Sequence, residues 1–285
     1  MTKRLIGLAL AACAFSTGTS LMAQQSRLRV VLDSTTFAGP TYQLMQDTAD
    51  RVAHLVEQLI PGVSPENTSV FCFAVPPEWG HAPITLVGKP QPAEPAAAAL
   101  YPARVALTRN VLPADRERFA FQLAHELAHV RMDARFDNDI IETFAVAVSF
   151  EVLDRMGYGG YLRAAIEALT APLPQEVRAG LANGSWNELN LYLRKQRQYH
   201  QEHPFDYSLA AAGAVLIRSA HVLPWSRLLG VGLHNQCPMR RDPPRFQLCP
   251  LNESALPEFQ PVFRLLGRAA APGDLAWKEI SPGGN

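Results

Sequence analysis

The feature that most constrains this chain is the pentapeptide His125-Glu126-Leu127-Ala128-His129, in which two histidines four residues apart flank a glutamate. Successive helix residues turn by about 100°, so side chains four positions apart lie on the same face, one turn along. Both imidazoles can then reach one metal ion, and the glutamate can act on a water molecule there without binding the ion. The pattern predicts a helix that carries a zinc site.

The residues around this pentapeptide also favour a helix. Asp115 and Glu117 lie where a helix dipole favours anions, and Pro113 can occupy the first turn. Arg131 and Arg135 lie near the far end. Apolar residues at helical spacing predict a buried stripe beside the histidines: Phe119, Leu123, Leu127 and Val130. The alternative is an ordinary helix that carries two histidines by chance.

A catalytic zinc ion usually has three protein ligands and an open position for water, so one ligand must come from elsewhere. Glu142 is the predicted third ligand, because it lies near the start of the apolar segment 139–156 and a buried carboxylate needs a partner such as a cation. The alternative is a capping box formed by Asp139 and Glu142. Asp133 lies one turn beyond His129, where we expect it to hold a histidine or to be a solvated charge rather than to bind the ion.

The first 23 residues have the layout of a secretory signal peptide. Lys3 and Arg4 precede an apolar run over 5–15 that is too short to span a bilayer, and small and polar residues follow up to Ala23. Cleavage after Ala23 would give an exported protein, periplasmic or secreted. The alternative is a bacterial lipobox ending at Cys13, which would make the protein an envelope lipoprotein attached to the membrane.

Three cysteines follow the predicted signal peptide. Cys237 and Cys249 flank a Pro- and Arg-rich loop with little core of its own, so we expect a disulfide between them. Cys72 lies in an apolar run and is predicted to be a small buried strand residue. The 26 basic and 26 acidic residues give no net charge and form no basic run, which argues against a nucleic-acid partner.

The hydrophobic pattern predicts an α+β N-terminal part over 24–136 and a mostly helical C-terminal part over 137–285. In the first part we expect strands near 28–32, 70–75 and 104–108, a helix over 41–60, and a Pro-rich loop over 76–102. In the second part we expect helices over 139–156, 161–169, 175–181, 185–200 and 204–220.

The pentapeptide followed by Glu142-Thr143-Phe144-Ala145 resembles the gluzincin branch of the zincin metallopeptidases, whose third zinc ligand is a glutamate on a later helix. The likeness covers about 25 residues. The interval between the second histidine and this glutamate is short, and the Asn or Gly that often flanks the glutamate is absent. The resemblance implies a zincin-like α+β fold, one Zn2+ ion, and hydrolysis of a peptide or protein substrate by a metal-activated water.

The resemblance also implies two further roles. A strand beside the active-site helix often forms the edge of the cleft and pairs with extended substrate, which makes 104–108 the candidate; an ordinary internal strand is the alternative. A Tyr or His from the helical part commonly stabilises the oxyanion, and His200, His203 and Tyr207 are the candidates. Two other functions stay open: a non-catalytic cell-envelope binding or assembly protein with a zincin-like fold, and a helical interaction module with an accidental motif.

Overall fold

The computed structural model describes residues 28–60, 68–80, 83–108, 115–132, 139–184, 187–195 and 207–219. These residues form a mixed α/β fold in which helices pack on one face of a four-stranded sheet. Several predictions lie outside the described residues: the signal peptide, the lipobox at Cys13, the Cys237–Cys249 disulfide, and the roles of Pro113, Asp133 and Arg135.

The sheet has the strand order β1-β2-β4-β3. The strands are β1 (Leu28–Leu32), β2 (Thr68–Ala74), β3 (Ile84–Val87) and β4 (Ala103–Leu107). The first two strands and β4 run parallel, whereas β3 runs antiparallel to β4 and forms an edge. Parallel strands are usually buried on both faces, and all five residues of β4 are buried.

The position of β4 decides between the two interpretations of 104–108, an edge strand and an ordinary internal strand, in favour of the second. This segment is internal, with β2 on one side and β3 on the other. The edge strand β3 lies inside the stretch 76–102, which the sequence predicts as a loop. That prediction is wrong for β3, and also for two short 3-10 helices, Pro77–Trp79 and Ala96–Leu100. A strand of four residues bordered by glycine and prolines is too short for its alternation to be visible.

The described α-helices lie where the apolar spacing predicts them. They are α1 (Tyr42–Leu59), α2 (Arg116–Arg131), α3 (Asp139–Arg155), α4 (Gly159–Thr170), α5 (Gln175–Ala182), α6 (Asn187–Lys195) and α7 (Tyr207–Ser219). Helix α2 contains the pentapeptide and packs against α1, α3, β3 and β4. Helix α3 lies at the centre of the helical layer, between α2 and α7. No helix among the described residues is long and apolar enough to cross a membrane.

The face of the sheet opposite the helices is covered by parts of the Pro-rich stretch on either side of β3, which contribute Trp79, Ala98 and Tyr101. Phe71 and Phe73 of β2 are buried there, and the ring of Phe71 stacks on Tyr101 with centroids 5.1 Å apart. Arg104 of β4 is also buried on this face, and its guanidinium donates to both carboxylate oxygens of Glu94 at 2.6 and 3.1 Å. The segment is therefore fixed to the sheet by aromatic packing and by one buried ion pair.

Candidate metal centre

Helix α2 presents the two histidines of the pentapeptide on its buried side. The helix begins after Asp115, whose carboxylate accepts a hydrogen bond from the main-chain N–H of Arg118 at 2.9 Å and so satisfies one free donor of the first turn. The predicted stripe Phe119, Leu123 and Leu127 is buried, whereas Val130 is half-buried. This packing fixes the rotation of α2 and directs His125 and His129 towards α3.

Glu142 comes from the first turns of α3 and joins the two histidines. Its Oε2 atom lies 3.2 Å from Nε2 of His125, and its Oε1 atom lies 3.3 Å from Nε2 of His129. The two Nε2 atoms are 3.1 Å apart. All three side chains are buried, and their ligand atoms lie within 4.8 Å of one another. Because both carboxylate oxygens contact a histidine, the geometry favours the predicted ligand over the capping box.

These spacings fit the ligand set of one small metal ion. Four ligands placed tetrahedrally at about 2.0–2.1 Å from an ion lie about 3.4 Å from one another. The three observed separations of 3.1, 3.2 and 3.3 Å are close to that value. Two imidazole nitrogens and one carboxylate oxygen are also a ligand set that catalytic zinc sites use. We call His125, His129 and Glu142 the candidate metal centre.

Charge at this centre also favours a cation. Burial alone would raise the pKa of Glu142, but the charges of His129 and His125 and their hydrogen bonds to the carboxylate hold that pKa well below its usual range. The buried carboxylate is therefore ionised at neutral pH. A buried negative charge needs a compensating positive charge, which protonated histidines or a metal ion can provide.

Glu126 follows His125 in α2 and is not one of the three converging side chains. Its side chain is buried, and its Oε2 atom accepts a hydrogen bond from the Thr85 hydroxyl of β3 at 2.6 Å. The sequence does not point to Thr85, because its pattern predicts a loop over 76–102. The available signal was the run Ile84-Thr85-Leu86-Val87, rich in residues that favour strands.

Tyr207, at the start of α7, also reaches the centre. Its hydroxyl oxygen lies 3.5 Å from Nδ1 of His125, the ring nitrogen that is not directed at Glu142. A Cβ atom at Gly213 of the same helix would lie 2.9 Å from Cγ2 of Thr143, so the glycine allows α7 to approach α3 next to the centre. Of the three oxyanion candidates, His200 and His203 lie outside the described residues, and the role of Tyr207 stays a prediction.

Cys72 has the buried position predicted for it and is not part of the centre. Burial, together with the negative charges of Asp33 and Glu126, raises the pKa of its thiol above the usual range. The thiol therefore stays protonated. A metal ligand or a nucleophile would need the thiolate, so Cys72 is a core residue.

Comparisons with known proteins do not place this chain in a family. No family model matches it, and neither the curated proteins nor the solved structures give a match. The gluzincin resemblance therefore rests on the short motif, and the interpretation of the site rests on its geometry.

Proposed function

We propose that this protein is an exported, zinc-dependent metallopeptidase of the gluzincin type. One observation carries the proposal: His125, His129 and Glu142 converge at the spacing of a tetrahedral metal site, and Glu126, the residue after His125, is also buried. The sequence order of ligand, base and second ligand on α2, with a third ligand on the following helix, supports hydrolysis over a purely structural zinc site. A structural site usually has four protein ligands and no adjacent base.

In the proposed reaction, some residues of this chain would bind the metal ion and another would transfer protons. A zinc ion bound here would lower the pKa of a water ligand to about 7 and polarise the carbonyl group of the scissile peptide. Glu126 would accept a proton from the attacking water and donate it to the leaving amine. Glu142 would supply the negative charge of the ligand set, and the two histidines would bind through Nε2.

The proposed substrate strand is β3 rather than 104–108. As an edge strand among the described residues, β3 has one row of main-chain N–H and C=O groups that does not pair with β4. An extended peptide can add to such an edge by main-chain hydrogen bonds. Because β3 packs against α2 and contacts Glu126, a peptide bound along β3 would lie beside the base.

The test compares the wild type with Glu126→Gln. The purified wild type should contain about one equivalent of zinc and hydrolyse an unfolded protein such as casein, with loss of hydrolysis in a chelator and recovery with zinc. Glu126→Gln should keep the zinc and lower turnover by at least about 10³-fold, because it removes the proton acceptor.

Three results would contradict the proposal in different ways. A zinc content below about a tenth of an equivalent in the purified wild type would contradict zinc binding. Near-normal hydrolysis by Glu126→Gln would contradict the role of Glu126 as the base. A zinc-loaded wild type with no hydrolysis would instead support a binding or assembly protein of the cell envelope.

A further inference from the structure

Thr85 contacts the proposed base from a different part of the fold. Its Oγ1 atom lies 2.6 Å from Oε2 of Glu126 and 3.0 Å from the main-chain carbonyl oxygen of the same residue. The two residues are only 6% and 3% exposed, so water does not compete strongly for this contact. A hydroxyl has one proton to donate, and an oxygen–oxygen distance of 2.6 Å is typical of a hydrogen bond from a hydroxyl to a carboxylate. Thr85 is therefore a donor to the Glu126 side chain.

This hydrogen bond restricts how the glutamate can be oriented. The terminal torsion of a glutamate is broad, so a carboxylate without a fixed partner samples many orientations. The hydrogen bond from Thr85 to Oε2 restricts this torsion and leaves Oε1 for the attacking water. Proton transfer needs hydrogen-bond distance and alignment, so restricting the torsion favours the reaction.

We propose that Thr85 is a positioning residue that holds Glu126 in the orientation needed for proton transfer. The proposal rests on the proposed function, and it adds a physical link between base and substrate. Thr85 belongs to β3, the strand along which we expect the peptide to bind, and it pairs with Val105 across the sheet. The orientation of the base is thereby set relative to the substrate strand through one buried side chain.

The kinetic test uses Thr85→Val, which has nearly the same shape without the hydroxyl, and Thr85→Ser, which keeps the hydroxyl. We expect Thr85→Val to lower kcat about 10- to 100-fold while KM stays within about threefold and the zinc content is unchanged. Thr85→Ser should retain kcat within about threefold. If the valine variant does not fold, Thr85→Ala serves the same purpose.

Thr108→Val is the matched control. Thr108 is also a buried threonine, and its hydroxyl forms hydrogen bonds with the Gln122 side chain at 3.0 and 3.1 Å. This variant removes the same chemical group beside the same helix without a contact to Glu126. It should lower the melting temperature and leave kcat within about twofold of the wild type.

A second measurement does not depend on activity. In the zinc-free protein, Thr85→Val should lower Tm by about 3–8 °C, because the Glu126 carboxylate loses its donor. In a Glu126→Ala background the same change should lower Tm by less than about half as much, since the acceptor is already gone.

The two measurements separate the two proposals. An active wild type with a normal kcat in Thr85→Val, an equal loss in Thr85→Val and Thr85→Ser, or an equal Tm decrease in both backgrounds would overturn the role of Thr85. A wild type without chelator-sensitive hydrolysis would overturn the proposed function. The unfolding cycle would then still show whether Thr85 holds Glu126.

Discussion

Two buried groups of ionisable side chains lie on opposite sides of the sheet, and they differ in what their atoms need. On the outer face, Arg104 donates to both carboxylate oxygens of Glu94, so positive and negative charge meet directly. On the helix side, two imidazole nitrogens and a carboxylate converge within 4.8 Å. The arginine pair, Arg104 and Glu94, matches donors with acceptors by itself, whereas the three side chains of the candidate metal centre could hold a metal ion.

The difference shows how a buried charged group that only stabilises the fold can be distinguished from one that serves a function. Fully paired groups whose donors and acceptors match are part of the scaffold. The Arg104 guanidinium also donates to the main-chain carbonyl oxygen of Gly88 at 2.9 Å, which adds to its structural role. Ligand atoms that converge on one point, in contrast, are the arrangement that a bound metal ion requires.

The largest effect on stability should come from breaking the arginine pair. Arg104→Met leaves the Glu94 carboxylate buried without its positive counter-charge, with only the main-chain N–H of Gln91 still donating to it at 2.7 Å, which should lower the free energy of unfolding by roughly 3–5 kcal/mol. Urea unfolding measures this change. The double variant Glu94→Met with Arg104→Met should recover much of the loss, because two apolar side chains can replace a buried ion pair. No recovery would mean that the pair has a role beyond its charges.

A smaller change in free energy, confined to metal binding, should follow from Glu142→Gln. The amide keeps the shape of the side chain but removes the negative charge of the ligand set, so zinc affinity should fall by about 100-fold or more. Competition with a chromophoric chelator measures the affinity. Glu94→Gln is the control, since it neutralises a buried glutamate outside the centre and should leave zinc affinity unchanged. Equal affinity for wild type and Glu142→Gln would exclude Glu142 as a ligand.

The smallest effect tests how closely α7 must approach the candidate metal centre. Gly213→Ala places a methyl group 2.9 Å from Cγ2 of Thr143 and should destabilise the protein by about 1–3 kcal/mol through overpacking. It should also weaken the contact between Tyr207 and His125. Gly160→Ala in α4 is the control, because a Cβ atom there meets nothing within 4 Å, and it should be neutral or stabilising. Equal unfolding free energies for the two variants would contradict close packing of α7 on α3.

Much of the local structure could be predicted from the sequence. The strand over 28–32 has the bounds predicted for it, and the helices α1, α2 and α3 lie where apolar residues recur at helical spacing. These predictions depend on neighbouring residues alone, so periodicity is sufficient. The short strand β3 was missed because glycine and prolines flank it, although its pairing with β4 outweighs those signals.

The order of the strands could not be read from the chain. The sequence leaves open whether 104–108 is an edge or an internal strand, and only the structure shows that β3 pairs antiparallel with it and makes it internal. The sequence does not indicate that Arg104 is buried, since its partner Glu94 lies in the segment that the pattern predicts as a loop. Thr85 likewise gave no sign of contact with Glu126, 41 residues further along. Such contacts follow from tertiary packing rather than from local spacing.

The sequence by itself determined that His125 and His129 share one face of a helix with Glu126 beside them, because a four-residue interval is a local property of helical geometry. Only the tertiary structure decided that Glu142 meets both histidines, since this requires the packing of α3 against α2. Only the sheet topology brought Thr85 to Glu126. Side chains far apart in the chain meet through the burial of apolar faces, which fixes how the elements pack and is not encoded in any one segment.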